Sequence, residues 1–412
     1  MRLLHTSDWH LGHALHGVAR DQEHAAFLAW LLDTLQEEAI EALLITGDVF
    51  ETHNPGAAAQ AAWYGFLASA KQRLPDLQIV VIGGNHDSAD RLDAPKPLLT
   101  RMAIHIVGGL PRTPDDALDL DRLLVPLRNR AGDTQAWVAA VPFLRTADLR
   151  MAGDPATADL AAGVREVYAT VLAEARARRQ GGQALIATGH CYMVGTELSE
   201  LSERRILGGN QHALPADIFP PDLAYVALGH LHKAQVVGRP HVRYAGSPLP
   251  LSMAELDYRH QVTVATLEGE GPATLRHLTV PRLVPFERVP ARGSATLPEV
   301  VQLLRQLPAR ATVAAEELRP YLEVRVRLDG PEPRLKAEVE AALEGRAHRL
   351  LTIRTEHPAQ PEEAGTLPAG VQLAELAPNE VFNSLYMSRY DTEPPPDLVQ
   401  AFHALFDELE AG

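Results

Sequence analysis

The sequence is short of several things. It holds one cysteine, Cys191, in 412 residues. A lone thiol forms no internal disulfide and excludes a cysteine-based zinc site, so a reducing, cytoplasmic setting is expected. Long apolar runs are missing too. LLIT at 43–46 and IVVI at 79–82 are strand-sized, far below the ~20 residues of a membrane helix, so no membrane association is expected. The opening MRLLHTSDWH lacks the apolar stretch and small-residue cleavage site of a secretory leader, so export is not expected. Surplus positive charge is also absent: the net charge is −15. A chain that grips nucleic acid unaided carries a basic face. A polyanionic substrate would therefore need bound cations or a partner to supply positive charge. Otherwise the acidity only keeps the chain soluble.

What is present suits a globular protein of two or more domains, with 46% apolar residues. The first part alternates strand-like runs with helical stretches. Residues 2–5 read as a strand, and 21–39 as an amphipathic helix with Phe27, Trp30, Leu31 and Leu35 on one face. LLIT is a buried strand, 57–73 a helix and IVVI a strand. ALIAT (184–188) and AYVAL (224–228) are two further buried strands. Such alternation predicts an α/β class of stacked layers. Near residue 280 prolines punctuate the chain, and 281–356 read as a small α+β module: helices at 298–307 and 333–344, strands at 321–328 and 350–356. Residues 357–374 are rich in Pro, Gly and Glu, a linker by composition. Residues 375–412 return to apolar periodicity as two short amphipathic helices, split by the turn TEPPP.

Five strings carry chemistry: SDWH (Asp8, His10), TGDVF (Asp48), GGNHD (Asn85, His86, Asp87), TGH (His190) and LGHLH (His230, His232). Each follows a strand-like run, and loops at the carboxyl ends of strands converge on one crevice. Carboxylates, imidazoles and one amide oxygen are the donors that a pair of divalent cations takes. This mixture suits manganese, iron or zinc better than calcium or magnesium. Residues two apart on an extended segment face the same way, as Asp8 and His10, and His230 and His232, would. Two such ions act as a hydrolytic clamp on a phosphate ester, with Asp48 the natural bridging ligand. His86 then hydrogen-bonds the phosphate or protonates the leaving oxygen, with Asp87 beside it to orient or polarise the ring. His53, just beyond GDVF, is a candidate substrate contact. His5, His13, His16 and His24 take no role, and Cys191 reads as packing.

The ordered set D-x-H, GD, GNHD, GH and GHxH resembles the calcineurin-like metallophosphoesterase superfamily. By that resemblance one ion takes Asp8, His10, Asp48 and His232, the other takes Asp48, Asn85, His190 and His230, and His86 is the catalytic histidine. HTSDWHLGH, GDVFETHNPG, GGNHDSADRL, YVALGHLHKAQ and YAGSPLPLSMAE are more narrowly similar to the bacterial SbcD family, relatives of the meiotic-recombination nucleases. That family implies a layered α/β sandwich over 1–280, a capping domain over 281–356 and a linker over 357–374. It also implies a helical segment over 375–412 that docks on the coiled-coil root of an SbcC-type ATPase. The implied activity is manganese-dependent cleavage of DNA (Mg2+, Fe2+ or Zn2+ being alternatives) in repair and recombination: a double-strand 3′–5′ exonuclease and a single-strand or hairpin endonuclease. One departure stands out: some relatives carry a histidine shortly after GD, whereas here Glu51 follows GDVF and His53 comes two places later.

The tail supports docking on its own chemistry. Phe382, Leu385, Tyr386, Phe402, Leu405 and Phe406 form apolar faces that a short helix cannot bury alone. They fold back on the main domain or fill a partner's groove. The family also implies a homodimer through helices near 57–72 and 91–102. Trp63, Tyr64, Phe66 and Leu67 are interface candidates there, unless that helix simply faces the core. Two rival readings remain: a stand-alone small-molecule phosphodiesterase or phosphatase, which has no need of the C-terminal third, and a non-catalytic tether, which has no need of intact ligands.

Overall fold

The computed structural model describes residues 1–149, 160–197, 213–313 and 315–357, with isolated positions at 386–387, 392, 394–395 and 398–399. The chain divides into two compact units, residues 1–326 with 334–354 and residues 327–333 with 355–412. Nearly all of the expected linker and tail, including Phe382, Leu385, Phe402, Leu405 and Phe406, lies outside the described residues. Tyr386 is described, as helical and half-buried.

The first unit is built on two six-stranded sheets. In the first, β1 (Arg2–Thr6), β2 (Ala42–Thr46), β3 (Gln78–Ile82) and β4 (Ile104–Val107) run parallel. The second holds β5 (Leu124–Arg128), β6 (Thr134–Ala139), β7 (Ala184–His190), β8 (Tyr225–Gly229), β9 (Gln235–Val237) and β10 (Arg239–Tyr244), in the order β9-β10-β8-β7-β6-β5. An antiparallel pair, β11 (Gln261–Thr266) and β12 (Thr274–Thr279), closes the first sheet beside β1. Three long helices, α1 (Asp21–Glu37), α2 (Ala57–Arg73) and α3 (Leu160–Arg178), flank the sheets among the described residues.

Strand periodicity sorts the core. Leu3, Leu44, Val80 and Ile82 face the second sheet and share one cluster with Val138, Ile186, Ala227 and the α3 residues Val164 and Val171. Their neighbours Leu4, Leu43, Ile45 and Val81 point the other way, onto Phe27, Leu31 and Leu35 of α1 and Trp63, Phe66 and Leu67 of α2. Every residue of β2 and β3 is buried, as continuous apolar runs in a covered parallel sheet should be. The result is an α/β sandwich layered helix, sheet, sheet, helix. Trp63, Phe66 and Leu67 are therefore core residues, while Tyr64 on the same helix is 38% exposed.

A smaller sheet follows, with β13 (Phe286–Val289) parallel to β14 (Tyr321–Arg327) and β15 (Arg349–Glu356) also paired to β14. It is flanked by α4 (Leu297–Arg305) and α5 (Leu335–Leu343). A capping box between Thr296 and Glu299 starts α4. Its junction with the sandwich packs Phe286 and Tyr321 onto Leu15 and Met253. At the same place the buried Arg20 guanidinium lies over the Phe286 ring and donates to both oxygens of Glu23, at 2.7 and 2.8 Å, and the Tyr321 hydroxyl donates to Glu23 at 3.0 Å. A buried ion pair is tolerable only with such added hydrogen bonds.

Trp63 packs edge-on to Trp9 at 5.7 Å and to Phe50 at 6.3 Å between ring centroids. Trp63→Ala should cost about 3–5 kcal/mol and Tyr64→Ala about 0.5 kcal/mol or less, as read by urea unfolding. Equal costs would contradict this assignment of the helix faces.

Candidate metal centre

The parallel strands end together, and so do their loops. Asp8 and His10 follow β1, Asp48 follows β2, Asn85 to Asp87 follow β3, His190 ends β7, and His230 and His232 follow β8. The backbone after these strands is unusual. Asp8, His10, Asp48 and His230 have φ of 55°, 47°, 48° and 99°, a region that non-glycine residues seldom occupy. Cross-links hold them there. Asp8 N–H donates to the Gly47 carbonyl and His10 N–H to the Asp48 carbonyl, both at 3.0 Å, while His230 N–H donates to Asp8 Oδ1 at 3.0 Å. Strain of this kind persists where surrounding contacts over-determine it, typically at functional sites.

The side chains converge into three overlapping groups: Asp8, His10 and His232; Asp8, Asp48 and His190; His10, Asp48 and His86. Within each group the candidate ligand atoms lie within 4.8 Å of one another, and the residues are buried. Asp48 Oδ2 stands 3.3 Å from His190 Nε2 and 3.6 Å from His10 Nε2, so it lies between the two sides. The Asn85 amide oxygen is within 2.9 Å of His190 Nε2 and 3.0 Å of His230 Nδ1. All seven residues expected to bind metal, and His86, therefore meet in one crevice.

Burial raises the Asp8 carboxyl against the pull of His190 and His232. Burial also pushes Asp48 upward, but His190 and His10 outweigh it and hold that carboxyl well below the usual range. His190 is pushed up to about 9 because Asp48 and Asp8 overcome the lowering effect of burial. His230, buried beside His190, is lowered to about 3. Imidazoles help offset the two buried carboxylates, and His10 Nε2 is buried with no hydrogen-bond partner among the described residues. Two buried carboxylates, converging imidazoles and an orphaned ring nitrogen fit divalent cation binding.

The outward nitrogens of these rings are taken. His10 Nδ1 meets Glu51 Oε2 at 2.9 Å, His190 Nδ1 meets the Thr46 carbonyl at 2.8 Å, and His232 Nδ1 meets Glu255 Oε1 at 2.8 Å. Such partners would fix which nitrogen faces a bound cation. Sequence pattern gives neither glutamate a role. Glu51 sits conspicuously next to GDVF. Glu255 lies 23 residues beyond His232, and no local pattern joins them.

Asp87 departs from expectation. His86 Nδ1 is bonded to the Glu51 carbonyl at 2.7 Å rather than to Asp87. The fully buried Asp87 carboxylate instead accepts from the backbone N–H groups of Gly84, Phe50 and Val49 at 2.9, 3.0 and 3.2 Å. It pins the loops after β2 and β3 together and does not polarise the His86 ring. His53 is exposed two residues beyond Glu51. Cys191 is buried, which lifts its thiol to about 12 and suits packing rather than nucleophilic chemistry.

Close approach explains Gly84. A Cβ there would lie 2.2 Å from Asp48 Oδ1 and 2.3 Å from Asp48 N, whereas one on Gly56 would meet nothing within 4 Å. Gly84→Ala should weaken divalent-cation binding by about ten-fold or more, an outer-support effect, with Gly56→Ala unchanged in calorimetry. Unchanged affinity in Gly84→Ala would show that Asp48 is not a ligand.

Comparison with known proteins agrees with this geometry. The calcineurin-like phosphoesterase family matches residues 1–234, and the family described as Type 5 capsule protein repressor C-terminal domain matches residues 282–390. The SbcD subunit of the SbcCD nuclease of Rhodobacter capsulatus is 45% identical over 370 residues, 88% of this chain and 90% of that protein. The protein of the same name from Escherichia coli K12 is 31% identical across 100% of both chains. That from Bacillus subtilis is 36% identical over 281 residues, 66% of this chain and 68% of the relative. The chain belongs to the SbcD family of calcineurin-like phosphoesterases.

Proposed function

We infer that the chain is a DNA nuclease subunit that hydrolyses phosphodiesters with two divalent cations, Mn2+ foremost. The observation that carries this is the meeting of Asp8, His10, Asp48, Asn85, His190, His230 and His232 around one crevice with His86 beside them. Asp8, His10, Asp48 and His232 would hold one ion, and Asp48, Asn85, His190 and His230 the other. Bound there, the ions would supply Lewis acidity and a nucleophile at neutral pH.

The chain's own residues do the rest. A carbonyl can only accept, so the Glu51 carbonyl keeps a proton on His86 Nδ1 and turns Nε2 outward. Burial, acting with His10 against Asp48, lowers the ring's proton affinity, and an anionic diester approaching Nε2 raises it again. Protonated at Nε2, the ring donates to the phosphate or to the leaving oxygen. Asp87 keeps the loop carrying His86 in place, and exposed His53 is a contact for substrate.

The family resemblance extends the proposal to double-strand 3′–5′ exonuclease and single-strand or hairpin endonuclease activity in repair and recombination. The domain extents proposed are 1–280 for the nuclease domain, 281–356 for the capping domain, 357–374 for a linker, and 375–412 for a helical segment that docks on an SbcC-type ATPase. The relatives are named as one subunit of SbcCD, which supports such a partner. The partner would also supply the positive charge that a chain of net −15 lacks. A homodimer is proposed as well, with Tyr64 as the exposed contact on α2.

The test is cleavage of linear duplex DNA, a single-stranded circle and bis-p-nitrophenyl phosphate by the purified protein with Mn2+. His86→Gln should cut DNA about 10²–10⁴-fold more slowly with its metal content unchanged, whereas Asp8→Ala should lose both cutting and metal. Hydrolysis of the small ester with no DNA cut, even with the ATPase partner added, would overturn the nuclease in favour of a small-molecule phosphodiesterase.

A further inference from the structure

The geometry points to Glu255 as the positioning residue that fixes how His232 presents itself to a cation, and to the capping module as the body that holds Glu255 in place. This inference rests on the two-ion reading above. Glu255 is fully buried. A carboxylate at that depth is costly unless both its oxygens are engaged. Here Oε1 meets His232 Nδ1 at 2.8 Å and Oε2 accepts from Leu251 N–H at 2.8 Å. An unprotonated carboxylate only accepts, so the ring carries its proton on Nδ1 and keeps the Nε2 lone pair for the side of Asp8 and His10. The His10 ring stands edge-on to His232 with centroids 5.2 Å apart, and the ligand atoms of Asp8, His10 and His232 lie within 4.8 Å of one another.

Glu255 is held from the other side. It belongs to a short helical turn, Met253–Glu255. His260 Nε2 bonds its carbonyl at 3.2 Å. Arg288, on β13 of the capping module, donates to the Met253 carbonyl at 2.8 Å and pairs with Asp257 at 2.8 Å. Met253 itself packs with Val284, Phe286 and Tyr321. The capping sheet thus grips the turn on both flanks of Glu255. Glu51 serves His10 in the same manner but has a quarter of its side chain exposed.

The experiment titrates Mn2+ into the metal-free full chain by calorimetry, with free Mn2+ followed by electron paramagnetic resonance. Wild type, Glu255→Gln and Glu255→Ala are compared, and the Tm of each is taken without metal. Glu255→Gln keeps shape and one acceptor. It should weaken one of two Mn2+ sites by about 10–100-fold and leave the other site unchanged, with some loss of metal-free Tm because the amide cannot accept from both Leu251 N–H and His232. Glu255→Ala should weaken the same site further. Two sites of wild-type affinity in Glu255→Gln would overturn the inference, as would equal weakening of both sites, the mark of a merely structural role. If wild type binds no Mn2+, the two-ion reading fails first. Should Glu255→Gln fail to fold, ring-nitrogen NMR of the wild type decides: an Nδ1–H tautomer at His232 supports the role, and an Nε2–H tautomer overturns it.

Discussion

Two carboxylates, Asp8 and Asp48, are buried beside the same imidazole, that of His190. Taking carboxylates out of water costs several kcal/mol each unless charge and hydrogen bonds compensate. Here the compensation comes from imidazoles, from backbone N–H groups and from the serine next to Asp8, whose hydroxyl donates at 2.5 Å. The arrangement makes sense for a fold that expects cations at this point. Much of the surrounding structure follows from holding it: the left-handed residues at the strand ends, the N–H donors converging on Asp87, and glycines where no Cβ fits. Stability and the proposed function draw on the same loops, so local backbone strain concentrates where the candidate ligands stand.

Much of this is legible in the sequence because it depends on short-range pattern. LLIT and IVVI read as buried strands and are β2 and β3, and the helix read at 57–73 is α2. The ligand strings sit at strand ends because a parallel sheet brings its carboxyl ends to one edge, whatever the intervening chain does. Other strands carry weaker signals. β5 contains Pro126, β9 has three residues, and β12 (TLRHLT), at the edge of its sheet, mixes polar and apolar residues without alternation. The division of the strands into two facing sheets is a matter of long-range pairing, which no local window reports.

Roles are less legible than ligands. Asp87 stands next to His86 in sequence, and adjacency suggests a partnership. The backbone turns its carboxylate the other way, onto three N–H groups. The true orienter of the His86 ring is a backbone carbonyl, that of Glu51, and carbonyls leave no trace in a sequence. Glu255 is invisible there for a different reason: its meeting with His232 depends on the tertiary placement of the turn beside the smaller sheet. Trp63, Phe66 and Leu67 could face either a partner or the core on pattern alone, and packing against Trp9 and the buried sheet decides for the core.

In the proposed centre two cations share Asp48. Anomalous diffraction at the manganese edge from crystals grown with Mn2+ would locate them. Two peaks about 3.5–4 Å apart are expected. One would lie among Asp8, His10 and His232, the other among Asn85, His190 and His230, with Asp48 touching both. A single peak, or two peaks with Asp48 bound to neither, would contradict this arrangement.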